Sequence, residues 1–160
     1  MVASKTKPRR LVLLSSIGVE RCDVFPFKIL NSYGVLDCKR AAEDVFLSVC
    51  RRIGSDAIVV RPGRLVGAPF TNFDLAKLLQ KNQGEDKGIV IDVRENLAGD
   101  VERKDVASAI AKLIEEETLQ SEVIFSIINK PGKEPTEREW GKLLSLFTVS
   151  KMDYSFRREV

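Results

Sequence analysis

The chain has 160 residues, 44% hydrophobic and 31% charged, an ordinary globular composition at one-domain length. Its 26 basic and 23 acidic residues leave a net charge of +3, too balanced to argue for nucleic acid or a membrane surface as partner. The absence of histidine excludes Ser-His-Asp and Cys-His catalysis and removes the usual imidazole ligands from any zinc site.

The chain opens on "MVASKTKPRR", basic and acid-free but without the apolar core of a secretory signal. Lys5, Lys7, Arg9 and Arg10 read as a solvated basic cluster, most of it in a tail over residues 1–9; the stub of a removed transit peptide is the other reading. Leu11-Val12-Leu13-Leu14 is a short continuous apolar run of the kind that forms a strand buried on both faces. An irregular stretch follows, carrying Gly18, Pro26 and Gly34. Val35 to Arg52 predicts a helix. Cys38, Ala41, Ala42, Val45, Val49 and Ile53 recur on one face, with Lys39, Arg40, Glu43, Asp44, Arg51 and Arg52 on the rest and Gly54 as the stop. "AIVVRPG", 57–63, is the second buried strand. Strand, helix and strand make a right-handed parallel crossover the default.

Residues 71–84, "TNFDLAKLLQKNQG", predict a short helix capped by Thr71 or Asn72, and "GIVIDV", 88–93, a third strand. The next helix is "DVERKDVASAIAKLIEEE", with Asp100 as cap and Val106, Ile110, Leu113 and Ile114 as its apolar positions. "EVIFSIIN", 122–129, is another buried strand. Thr136 and Glu139 form a capping box that opens a last helix with Trp140, Leu143, Leu144 and Phe147 as its core stripe. The alternation predicts an α/β, partial Rossmann-like three-layer fold with a mainly parallel sheet over residues 10–149, between tails at 1–9 and 150–160. No apolar run approaches the roughly 20 residues needed to span a bilayer. Cys22, Cys38 and Cys50 are odd in number and lack Cys-x-x-Cys spacing. That argues against a disulfide framework and for a reducing intracellular compartment.

Five segments occur in order: "RLVLLSSIGV" (10–19), "FPFKILNSYGVLDCKRAAED" (25–44), "AIVVRPGRL" (57–65), "GAPFTNFDL" (67–75) and "VERKDVASAI" (101–110). Together they resemble the C-terminal half of an atypical short-chain dehydrogenase/reductase. The nearest likeness is to the single-domain NAD(P)-binding proteins of that group in plants, algae and cyanobacteria. The resemblance implies a nicotinamide dinucleotide across the carboxyl ends of the strands, with Ser15, Lys39, Arg61, Pro62 and Gly63 in contact with cofactor. It also implies a plastid address. Active relatives use a Ser, and a Tyr four residues before a Lys, the Lys lowering the Tyr pKa so that the Tyr moves the proton during hydride transfer. Here Lys39 stands at the family lysine and Ser15 and Ser16 at the serine, so Ser16, Tyr33 and Lys39 are the candidate catalytic set. Val35 occupies the position four before Lys39, and Tyr33 lies six before it, about 120° off its face if that stretch is helical. Plainer roles stand beside these. The serines satisfy backbone groups at a strand end, Lys39 is solvated, Tyr33 is a packed aromatic, and Arg103 and Asp105 complement a helix start.

The ten glycines include no pair two apart, so the Gly-x-Gly-x-x-Gly fingerprint is absent. The resemblance begins at the family's fifth strand, and the half that cradles the pyrophosphate is not among these residues. The expectation is therefore a fragment, a short isoform or a docking subunit. It is expected to bind NAD(P) if the missing N-terminal half is supplied, and that half or a protein partner is expected at the raw edge at Leu11–Leu14. Full oxidoreductase activity is not expected of it, and a non-catalytic scaffold or assembly role is the alternative.

Overall fold

In the computed structural model, which describes residues 7–67 and 87–148, all four apolar runs read as strands are strands. In chain order the elements are β1 (Arg10–Leu14), α1 (Phe27–Leu30), α2 (Val35–Ile53), β2 (Asp56–Pro62), β3 (Arg64–Val66), β4 (Gly88–Asp92), β5 (Asp100–Glu102), α3 (Arg103–Glu115), β6 (Glu122–Lys130) and α4 (Glu137–Leu144), with a 3-10 turn at Ser145–Phe147. The main sheet runs β1-β2-β6-β4. β1, β2 and β6 are parallel, and β4 is antiparallel to β6. β3 and β5 form a second, two-stranded parallel sheet.

Strand alternation sorts the core into two faces. Leu11, Leu13, Ala57, Val59 and Ile124 pack against Phe46, Leu47 and Cys50 of α2. Val12, Ile58, Val60, Val123, Phe125 and Ile127 pack on the other side against Val106, Ala109 and Leu113 of α3 and Trp140 and Leu144 of α4. Ala57 to Val60 are fully buried, as expected of a strand covered by helices on both faces. The fold is thus α/β, in three layers, with a mixed and mostly parallel sheet.

The structure rotates α2 relative to the expected stripe. Cys38, Ala41, Ala42 and Val45 are exposed, while Leu36, Glu43, Leu47 and Cys50 are buried. The reason is Glu43, a charged residue in the middle of the inward face; it pairs with Arg61 of β2 and so disguises the periodicity. Asp100 is not a helix cap either. It lies in β5 and pairs with Arg64 at 2.8 Å, and α3 starts after Glu102 with no side-chain cap bond. The capping box at Thr136 and Glu139 is present. Arg10 leaves the expected solvated cluster. Its Nη1 donates to the carbonyls of Leu113, Ile114 and Glu116 at 2.7–2.8 Å, a cation closing the C-terminal end of α3. The helix expected over 71–84 lies outside the described residues.

Among the described residues β1 is the terminal strand of its sheet. Asp56 N–H donates to the Arg9 carbonyl at 2.9 Å and Ser15 N–H to the Val60 carbonyl at 2.7 Å. Odd-numbered positions therefore face β2, and the backbone groups of Arg10, Val12 and Leu14 point to the other side.

Candidate functional site

The carboxyl ends of β1 and β2 lie side by side and continue so into the following loop, where Ile17 N–H reaches the Pro62 carbonyl at 3.0 Å. This brings Ser15 and Ser16 beside Arg61 and Pro62. On the α2 face of the sheet, Arg61 is the centre of a buried ion cluster. Its Nε and Nη2 donate to the two oxygens of Glu43 at 3.1 and 2.7 Å, and its Nη1 to Glu20 at 2.7 Å and Glu95 at 3.4 Å. Arg40 of α2 also pairs with Glu20, at 2.9 Å.

Glu95 does more than neutralise charge. One oxygen accepts from the Gly18 N–H and the other from the Glu20 N–H at 3.0 Å, so the loop after β4 holds the loop after β1. Glu95 itself has φ of 51°, where non-glycine residues are uncommon and persist only when their surroundings enforce it. Burial lowers the Arg61 pKa, and the hydrogen bonds and charges of Glu43 and Glu20 outweigh it, so the net shift is upward. Glu20 mirrors this. Burial raises it, but Arg61 and then Arg40 pull it below the usual carboxylate value.

Each expected site residue has a definite place. Ser15 is buried and its Oγ has no hydrogen-bond partner among the described residues; Ser126 Oγ, on the β6 residue paired with Arg61, is in the same condition. Ser16 Oγ donates to the Ile17 carbonyl at 3.0 Å, the plainer of its two roles. Lys39 is half-buried on α2, one turn before Glu43 and on the same face, with no ion pair to any described residue. These residues converge on one end of the sheet. Tyr33 does not join them. It sits in the turn before α2 and is 93% exposed, so it is neither a packed aromatic nor in contact with Lys39's face. The Arg61 guanidinium is engaged by carboxylates. Pro62 closes β2, and the close approach that Gly63 permits is to Gly99: a Cβ at 63 would run into the Gly99 carbonyl and lie 3.0 Å from Ile128 Cγ2.

Sequence reading missed Glu20, Glu43 and Glu95. The signal was available in "AIVVRP" itself, because an arginine inside an otherwise apolar buried strand requires carboxylates around it. Asp105 was read as complementing a helix start. It is buried and accepts from Asn129 Nδ2 at 2.7 Å, and burial, only partly opposed by that bond, raises its pKa. Arg103 donates to the Gly67 carbonyl at 2.6 Å.

No cluster of three or more metal-ligating side chains occurs among the described residues. No described helix is long and apolar enough to cross a membrane. No protein-family model matches the sequence, and no curated protein matches it significantly. Among solved structures the chain is similar to the crystal structure of the oxidoreductase ylbE from Lactococcus lactis, with a TM-score of 0.55 and 21% identity. The match covers 87% of this chain and 53% of that one. At that identity the likeness is one of fold, and the chain spans about half the length of the protein it resembles.

Proposed function

We propose that this chain is the carboxyl-side portion of an NAD(P)-binding, atypical short-chain dehydrogenase/reductase-like fold, which contributes the β1–β2 end of a nicotinamide dinucleotide site that a glycine-rich α/β half, adding a strand at β1, completes. The observation that carries this is the parallel β1-β2-β6 order, with β1 outermost among the described residues. The partial overlap with a longer oxidoreductase supports it. In this reading the ligand lies over the carboxyl ends of β1 and β2, where parallel sheets place nucleotides. Ser15 and Lys39 contact it, the Arg61 cluster fixes the two loops beneath it, and Pro62 and Gly63 form the floor. Hydride transfer by Ser16, Tyr33 and Lys39 is not part of this reading. Val35 stands where the family's proton donor would be, and Tyr33 faces solvent. A second reading, a non-catalytic scaffold or assembly subunit that docks through the same edge, is favoured by the lack of a glycine fingerprint in the sequence.

Thermal unfolding with NADPH and with NADH separates the two. A ligand at a hundredfold excess over its dissociation constant stabilises by about 2.7 kcal/mol. A shift in the wild type that Lys39→Gln abolishes supports dinucleotide binding. No shift, together with concentration-dependent self-association or fast hydrogen exchange at the Arg10, Val12 and Leu14 amides, supports docking. No shift in a monomer whose three edge amides are protected overturns both.

A further inference from the structure

A concavity lies at the β4 edge of the sheet, away from β1, where the start of β4 meets the end of β6 and α4. Its volume is about 380 Å³, and its walls include Ile89, Pro135, Leu143, Lys130, Lys133 and Lys142. That size suits a small organic ligand, and such sites combine an apolar floor with a few convergent polar groups.

The charge arrangement gives the ligand's class. Lys130 closes β6 opposite Gly88, Lys133 follows the Pro131-Gly132 turn, and Lys142 rises from α4. The carboxylates nearby are already engaged. Glu134 faces Lys104 at 3.7 Å, Glu137 holds Lys112 at 2.6 Å, and Glu139, also on the wall, is tied to Thr136 by the capping box at 2.8 Å. None of the three lysines makes an ion pair with a described residue. Among the described residues three lysines stand against one wall carboxylate, Glu139, which leaves about two positive charges unbalanced and matches a dianion. Lysine, a compact point charge, suits phosphate, whereas arginine's planar fork suits bidentate carboxylate recognition.

We propose that this concavity binds the phosphate group of a small molecule, with Lys130, Lys133 and Lys142 around the phosphate and Ile89, Pro135 and Leu143 beneath any apolar remainder. The proposal is independent of the dinucleotide reading, which concerns the opposite side of the sheet.

The test is an amide NMR titration of the full chain at low salt, with inorganic phosphate in one arm and phenyl phosphate in the other. Saturable shifts centred on Gly88, Lys130, Lys133 and Lys142 are expected. Tighter binding of phenyl phosphate assigns a phosphate ester as the natural ligand; equal binding assigns free phosphate. The Lys130→Gln/Lys133→Gln/Lys142→Gln variant should bind at least tenfold more weakly, while Lys28→Gln/Arg52→Gln, which removes exposed charge elsewhere, should bind as the wild type does. These lysines are exposed, so the variants keep the fold, and the dispersion of the spectrum checks it. Absence of saturable shifts at those amides, or unchanged affinity in the triple variant, overturns the proposal. Lys39→Gln leaves this site intact, so the two readings fail separately.

Discussion

Replacing Arg61 by Met should be the most damaging single change in the carboxyl-end cluster. The arginine side chain is 4% exposed, and two of its partners, Glu43 and Glu95, are 2% and 1% exposed. Removing one member of a buried ion pair costs about 3–5 kcal/mol, because the remaining charge is left uncompensated. Whole domains are stable by only about 5–15 kcal/mol. With a urea slope of about 2 kcal/mol/M, the midpoint of unfolding should fall by about 1.5–2.5 M. Arg61→Met/Glu43→Leu should recover part of the loss, since a buried pair replaced by apolar groups is often neutral; Glu95 keeps its bonds from Gly18 and Glu20. The deficit should also depend on pH. In the wild type, Glu20 has a lowered pKa, so its contribution is present above its unfolded value and is lost as pH falls through the folded one. In Arg61→Met the Arg61 share of that contribution disappears, while Arg40 still pairs with Glu20. The gap between variant and wild type should therefore narrow toward acid. A midpoint within about 0.5 M of wild type at neutral pH, or a gap that widens toward acid, would refute the reasoning.

Two further outcomes follow from the same geometry. Gly63→Ala pushes a methyl group into the Gly99 carbonyl and against Ile128; overpacking of this kind costs about 1–3 kcal/mol, read by urea unfolding, and a neutral result would mean that β2 and the Gly99 loop separate easily. Asp105→Asn preserves an acceptor for Asn129 while removing a buried charge. Because the folded pKa of Asp105 is raised, its favourable contribution is complete at low pH and is lost as pH rises through that value. The variant should melt higher than wild type near about pH 8, with the difference shrinking toward about pH 3; a difference independent of pH counts against this.

The strands, the end of α2 and the start of α4 were legible because their determinants are local. Leu11–Leu14, Ala57–Val60 and Val123–Phe125 are apolar on consecutive positions; helices on both faces bury Ala57–Val60 completely, while β1, at the end of its sheet among the described residues, keeps Leu11–Leu13 half-buried and Leu14 exposed, short of the burial on both faces expected of it. Gly54 closes α2 with φ of 63°, and Thr136 with Glu139 opens α4; both signals lie within a few residues of what they control. The expected site residues at the β1 and β2 ends were partly legible for the same reason. Strand order brings Ser15 beside Arg61 whatever their side chains do.

Tertiary structure decided the rest wherever a polar residue faces inward. Glu43 is buried because Arg61 lies opposite it, 18 positions away, and no pattern within α2 reveals that. Glu95 reaches Gly18 across 77 positions. Arg10 looked like part of a tail and instead closes a helix more than 100 residues later. The β3–β5 pair has three residues per strand, too few to show a period, and exists only because the chain brings them together. Composition and periodicity fix which residues leave water; which charges go with them depends on partners distant in the chain, because a buried charge is tolerated only where the fold supplies its opposite.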